Sequence, residues 1–261
     1  MKADPSPRLA RLLEAAPLLE DAAVRALDPA SRQQLGQSWR RRAENELCTS
    51  RVFAQLYAQL RRFDAAEEVL ALAEGAIDDE AFHGELCRHV AEIYLQQPVS
   101  LAAPSEPAAP VFAVCAPRVH QALFAALHCT VNETLAVTYL AACLAEATAE
   151  AAKRALKEVL RDEVRHARIG WAVLASPQLD ARDRKLIAEF MPALLDVCVA
   201  TWLADNEDDS APDPPQGHGC IRSATLARAV DDALTGVILP GLAHVGVNPA
   251  PAQLWVSRAR P

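Results

Sequence analysis

One pattern of metal-ligating residue types occurs twice in this chain. Glu46 is followed, after 32 residues, by Asp79-Glu80-Ala81-Phe82-His83, and Glu133 is followed, after 28, by Asp162-Glu163-Val164-Arg165-His166. A Glu and a His at i and i+3 lie on one face of a helix, close enough to grip one ion. Two such units supply four Glu and two His, a donor set that suits oxygen-preferring, redox-active divalent metals. Arranged on four helices, this set holds a pair of ions. Four carboxylates neutralise two divalent cations, whereas four buried Glu without cations repel one another unless some take up protons.

The positioning elements follow from helical periodicity. A first long helix is expected from Asp28-Pro29 to Arg62, with Trp39, Glu46, Thr49, Ser50, Phe53, Leu56 and Leu60 inward. Asp64 with Glu67 three residues on signals the start of a second, running to about Gln97. Its inward face carries Val69, Leu72, Ala73, Ala76, Glu80, His83, Cys87, Ala91 and Tyr94. Glu46 and Glu80 are equidistant from the turn at Phe63-Asp64, each about 17 residues or ~25 Å away, so they lie level on antiparallel helices. Five prolines between 98 and 117 mark a long crossover.

Pro117 opens a third helix, with Leu123, Ala126, Thr130, Glu133, Val137, Leu140 and Leu144 inward. The fourth carries Leu156, Val159, Leu160, Glu163, His166, Gly170 and Leu174 and stops before Pro177. Glu133 and Glu163 are level only if the chain turns near Ala147-Thr148, where no Gly or Pro marks a turn; Thr148 is the candidate N-cap. An unbroken helix would hold the two Glu ~45 Å apart. Residues 1–28 read as a leader with short helices, 29–176 as the bundle, and 177–261 as additional helices packed on it. In that last part, helices span 182–204 and 222–239, the acidic, Pro-rich segment 205–219 is mobile, and the final twenty residues are irregular.

Composition narrows the function. The chain of 261 residues is 51% apolar and only 5% aromatic, with 9 Gly, which favours packed helices over a sandwich or barrel. A net charge of −8 opposes sequence-independent nucleic-acid binding. No signal-peptide core and no membrane-spanning window is evident. Seven Cys without Cys-x-x-Cys spacing suggest reduced thiols and a cytoplasmic protein.

Carried by Glu46, Glu80, His83, Glu133, Glu163 and His166, the double pattern resembles the ferritin-like di-iron carboxylate superfamily, which includes the ribonucleotide reductase small subunit, bacterial multicomponent monooxygenases and arylamine N-oxygenases. The resemblance covers roughly residues 30–175. It implies an all-α, ferritin-like four-helix bundle with a long crossover between helices two and three, plus extra N- and C-terminal helices. It also implies Glu46, Glu80 and His83 on one iron and Glu133, Glu163 and His166 on the other, with some Glu bridging. Asp79 and Asp162 would be hydrogen-bond partners of the ligand His residues, often across motifs. At the position of the extra His ligand of arylamine N-oxygenases this chain has Val159, a departure from that chemistry.

The function expected is a di-iron oxidase or oxygenase that activates O2 to oxidise or hydroxylate a small organic substrate. Mn/Fe and Mn/Mn pairs accept the same ligands. Thr49 and Thr130 are candidates to donate hydrogen bonds to bound oxygen. Thr49, Ser50, Ala76, Thr130, Ala136, Val137 and Gly170 would leave a dry cavity. No flavin, nicotinamide or iron–sulfur motif is present, so a separate electron donor is required. No nucleic-acid or membrane partner is expected, and a homodimer is left open. The alternatives are a ferritin-like protein that oxidises or buffers iron, or a non-catalytic interaction protein. Glu85 with His89 forms a weaker candidate pair expected to face solvent.

Overall fold

Asp28 starts the longest helix by accepting hydrogen bonds from the backbone N–H of Ser31 at 3.0 Å and its hydroxyl at 2.6 Å, with Pro29 in the first turn. The computed structural model describes residues 7–14, 21–105, 115–204 and 213–259, and among these all regular elements are helices and there is no strand. Short helices α1 (Pro7–Glu14) and α2 (Ala22–Arg25) precede α3 (Pro29–Arg62) and α4 (Glu67–Leu95). The antiparallel α3–α4 pair is the largest helix contact.

The turn between them differs from expectation. Asp64 does not cap α4, whose N-cap is Ala66 with no side-chain cap. It takes a left-handed φ of 46° just after α3, a conformation Asp tolerates better than bulkier residues. Gln96 ends α4 in the same way, at φ 55°.

The third long helix is interrupted. It runs as α5 (Pro117–Ala125), a π-helical segment (Ala126–Asn132) and α6 (Glu133–Glu146). Wide π turns free backbone carbonyls from the regular ladder, and the Cys198 thiol donates to Leu127 O at 3.6 Å. Gly170, on α7 (Glu150–Leu174), faces this segment; a Cβ there would collide with Thr130 N and Oγ1. Gly170 therefore allows close helix approach and does not open the cavity expected beside it.

The turn between α6 and α7 falls at Ala147–Ala149, as levelling the two Glu requires. Its chemistry is long-range. Thr148 N and Ala149 N both donate to Gly217 O at 2.9 Å, and Ala151 N donates to Asp21 Oδ2 at 3.0 Å. The N-cap is Ala149, not Thr148, and the carboxylate of Asp21 replaces the missing side-chain cap.

Beyond α7 lie α8 (Ala181–Ala204), α9 (Ser223–Ala233), a second π-helical segment (Leu234–Ile238), α10 (Leu239–His244) and α11 (Ala250–Ala259). Three expectations are corrected here. The helix begun by α9 runs through Pro240-Gly241 to His244, and the wide turn precedes Pro240, which cannot donate an ordinary i→i−4 bond. The chain end is not irregular: Asn248 Oδ1 accepts from Ala250 N at 3.1 Å and starts α11. Third, α8 contains a stretch, Ala181–Leu203, that is long and apolar enough to cross a membrane by length and composition. That helix packs on α5, the first π-helical segment and α11.

Residues 205–212 of the acidic segment lie outside the described residues, as do 106–114 of the crossover. Residues 217–221 are buried. His218 Nδ1 meets the Tyr94 hydroxyl at 2.9 Å, Trp39 Nε1 donates to His218 O at 3.0 Å, and Arg42 donates to Gly219 O at 2.9 Å. This stretch is thus packed as a plug over the end of the helices marked by Trp39, Tyr94 and the α6–α7 turn.

Candidate metal centre

The four long helices bring all six Glu and His residues together. Two overlapping groups have ligand atoms within 4.8 Å of one another: Glu46, Glu80, His83 and Glu163, and Glu80, Glu133, Glu163 and His166. Glu80 and Glu163 belong to both. Glu80, His83, Glu133, Glu163 and His166 are buried, each 3% exposed or less, and Glu46 is half-buried. His166 Nδ1 is 2.8 Å from Glu80 Oε1 and 3.2 Å from Glu163 Oε2; His83 Nδ1 is 3.4 Å from Glu163 Oε1 and 3.6 Å from Glu80 Oε2. Both imidazoles therefore present Nδ1 to the shared carboxylates.

Their other nitrogens are held by crossed Asp partners. His83 Nε2 is 3.2 Å from Asp162 Oδ2, and His166 Nε2 is 3.5 Å from Asp79 Oδ2. Each motif's Asp thus serves the His of the other motif, as the resemblance implies. An Nε2–H directed at a carboxylate leaves Nδ1 with its lone pair toward the cluster, the tautomer a metal needs. Arg165 joins the two Asp residues, at 2.9 Å to Asp79 Oδ2 and 2.8 Å to Asp162 Oδ1.

The donor set fits a cation. Both oxygens of Glu80, Nδ1 of His83 and Oε1 of Glu133 are buried without a hydrogen-bond partner. Such groups are costly unless something satisfies them, and a positive ion within each of the two groups would. Without an ion, protons take part of that role. Burial, then the neighbouring Glu80 and Glu163, push the Glu46 carboxyl well above its ordinary range. Burial with Glu163 and Glu80 does the same to Glu133. Burial opposes charge on His166, but the carboxylates of Asp79, Glu163 and Glu80 around it prevail and push it up to about 12. His83 is raised similarly by Asp162, Glu163 and Glu80 against its burial. Glu163 is held low, because the two imidazoles outweigh its own burial. A buried Glu/His group of this kind could hold a metal ion.

No family model, curated protein or solved structure matches this chain.

The other candidates separate cleanly. Thr130 is fully buried and its Oγ1 has no hydrogen-bond partner, one turn before Glu133. Thr49 instead donates to Asn45 O of its own helix at 3.1 Å, on a part-exposed face. Ser50 donates to Ile77 O at 2.9 Å across α3–α4. Glu85 pairs with Arg88 at 2.9 Å and His89 lies 3.7 Å from Glu92, so these two do not form a chelate. All seven Cys are free, and five are buried. Burial pushes the Cys87 thiol, one turn after His83, up to about 12, which keeps it protonated. Val159 is buried with no ligating group. A cavity of about 360 Å³ opens at the α3–α4 turn, lined by residues such as Leu60, Val69, Arg118, Gln121 and Val173; none of the six ligands borders it.

Sequence reasoning missed Arg8. From α1 it donates to Asp79 Oδ1 at 2.9 Å and Asp162 Oδ2 at 2.5 Å. No periodicity could reveal it, because its partners stand 71 and 154 residues away.

Proposed function

We propose that the chain is a ferritin-like di-iron oxidase or oxygenase that uses O2 to oxidise a small organic substrate. The observation that carries this reading is the sharing of Glu80 and Glu163 between two ligand groups, each completed by its own His and one further Glu. Glu46, Glu80, His83 and Glu163 would hold one ion, and Glu80, Glu133, Glu163 and His166 the other. Two ferrous ions so bound supply electrons for reduction of O2, chemistry that manganese-containing pairs also support.

The chain's own groups prepare this chemistry. His83 and His166 direct Nδ1 at the shared carboxylates because Asp162 and Asp79 hold their Nε2 atoms. Glu46 and Glu133 keep protons in the metal-free site and surrender them as cations arrive. The unpartnered hydroxyl of Thr130 supplies a buried donor beside Glu133. Enclosure by apolar helix faces excludes water from the reacting groups. Electrons beyond those of the bound metal come from a separate donor.

A second reading is supported by the close contact of Gly170 with Thr130, which leaves no room for a side chain between the two helices beside the cluster. In it, the centre oxidises or buffers iron itself. Both readings are tested by loading the protein anaerobically with ferrous iron and adding O2 with a panel of small apolar substrates. Substrate-dependent O2 uptake with an oxidised product supports the oxygenase. O2 uptake accounted for by the electrons of the iron oxidised, with no organic product, supports the iron oxidase. No O2 uptake contradicts both.

A further inference from the structure

Asp79 and Asp162 are gripped from outside by a residue of a separate element. Arg8 spans both carboxylates, reaches Glu158 at 3.3 Å, and lies with its Cζ 3.8 Å over the Phe82 ring. Phe82 sits inside the first motif and Glu158 one turn before the second. Asp162 Oδ2, the oxygen that faces His83 Nε2, is the same oxygen that Arg8 holds. Leu9, next in α1, is buried at 1% exposure and seats the helix. Arg165 also spans Asp79 and Asp162, and Arg161 touches Asp162, but both belong to α7 and move with it. Arg8 alone among these guanidinium groups ties the motifs to an element outside the four long helices.

We propose that Arg8 is a positioning residue for the metal centre and that α1 is a clasp governing release of its ions. This rests on the metal-binding part of the reading above. The fork of a guanidinium fixes two carboxylates at once, and each carboxylate fixes one imidazole. With α1 seated, both His residues are held toward the cluster. With α1 displaced, Asp79 and Asp162 are left to the α7 guanidinium groups of Arg161 and Arg165, both imidazoles gain freedom, and the ions leave faster. A partner or modification that displaces α1 would thereby control metal retention without touching a ligand.

The test uses the full chain loaded with cobalt(II), whose visible bands report ligand geometry. Wild type, Arg8→Ala, Arg8→Lys and Arg11→Ala are compared for those bands and for the rate of cobalt loss to a chelator. Arg11 shares α1 and, among the described residues, bonds Pro7 O on an exposed face. The expected result is a rate about 10- to 100-fold faster in R8A with shifted bands, an intermediate rate in R8K, which keeps the charge without the fork, and wild-type behaviour in R11A. Wild-type rate and bands in R8A overturn the clasp while leaving the metal centre intact. Equal acceleration in R8A and R11A also overturns it, because α1 would then act only as packing. Wild-type protein that takes up no cobalt overturns the metal centre itself, and the clasp with it.

Discussion

At the residue scale, the ligands are not equivalent. Glu80 and Glu163 sit in both groups, whereas Glu46 and Glu133 sit in one each. Glu80→Ala or Glu163→Ala should therefore abolish binding of both ions, and Glu46→Ala or Glu133→Ala should remove one, in chains that remain folded; metal analysis with circular dichroism checks this. Glu85→Ala should leave metal content unchanged. The pH dependence of the metal-free protein has two limbs. Asp79, Asp162 and Glu163 are held below their ordinary values, so their stabilisation is present above those values and is lost as pH falls through the folded ones. Glu46 and Glu133 are raised, so their contribution is whole below the ordinary value of 4.5 and is lost as pH rises toward the folded values. His83 and His166 act in the same alkaline direction. Melting curves of metal-free protein should thus fall off on both sides, and Glu46→Gln with Glu133→Gln should flatten the alkaline limb. The clustering of the six Glu and His residues was legible in the sequence because an i, i+3 pair needs no knowledge of tertiary structure and the level spacing of Glu46 and Glu133 supplied their partners. Arg8 was not, since only folding brings it to Asp79 and Asp162.

At the element scale, the first π-helical segment and Gly170 form one packing unit. Gly170→Ala would press a methyl group against the backbone N of Thr130 as well as its hydroxyl. Backbone cannot swing aside as a flexible side chain can, so a loss of ~1–3 kcal/mol is expected, read as a lowered melting temperature. A melting temperature unchanged by Gly170→Ala would show that the two helices are not in contact there. The bounds of α3 and α8 and the end of α7 were readable because Asp28-Pro29, Pro177 and helical periodicity mark them locally. Ala126–Asn132 carries no such mark, and its widened turn is set by the helix it meets. The turn at Ala147–Ala149 could be placed only by the demand that Glu133 and Glu163 be level, since its hydrogen bonds come from Asp21 and Gly217.

At the scale of the whole molecule, flanking segments close the helices over the buried Glu/His cluster. Asp21 caps both α2 and α7, and residues 217–221 plug the end near Trp39. Trp39→Ala should cost ~3–5 kcal/mol by leaving a cavity beneath that plug, measurable by denaturant unfolding. Ions that bind only the folded chain add stability by mass action, about 2.7 kcal/mol at a hundred times Kd, so ferrous iron should raise the melting temperature of wild type and not of Glu80→Ala. The all-helical class was legible from composition. The plug was not, because Gly217-His218-Gly219 looks locally like loop and gains its place only from Trp39, Tyr94 and Thr148. The most direct test is the number of irons bound per chain after anaerobic ferrous loading. Two irons, lost together in Glu163→Ala, are predicted; one iron, or none, would contradict a paired centre built on shared carboxylates.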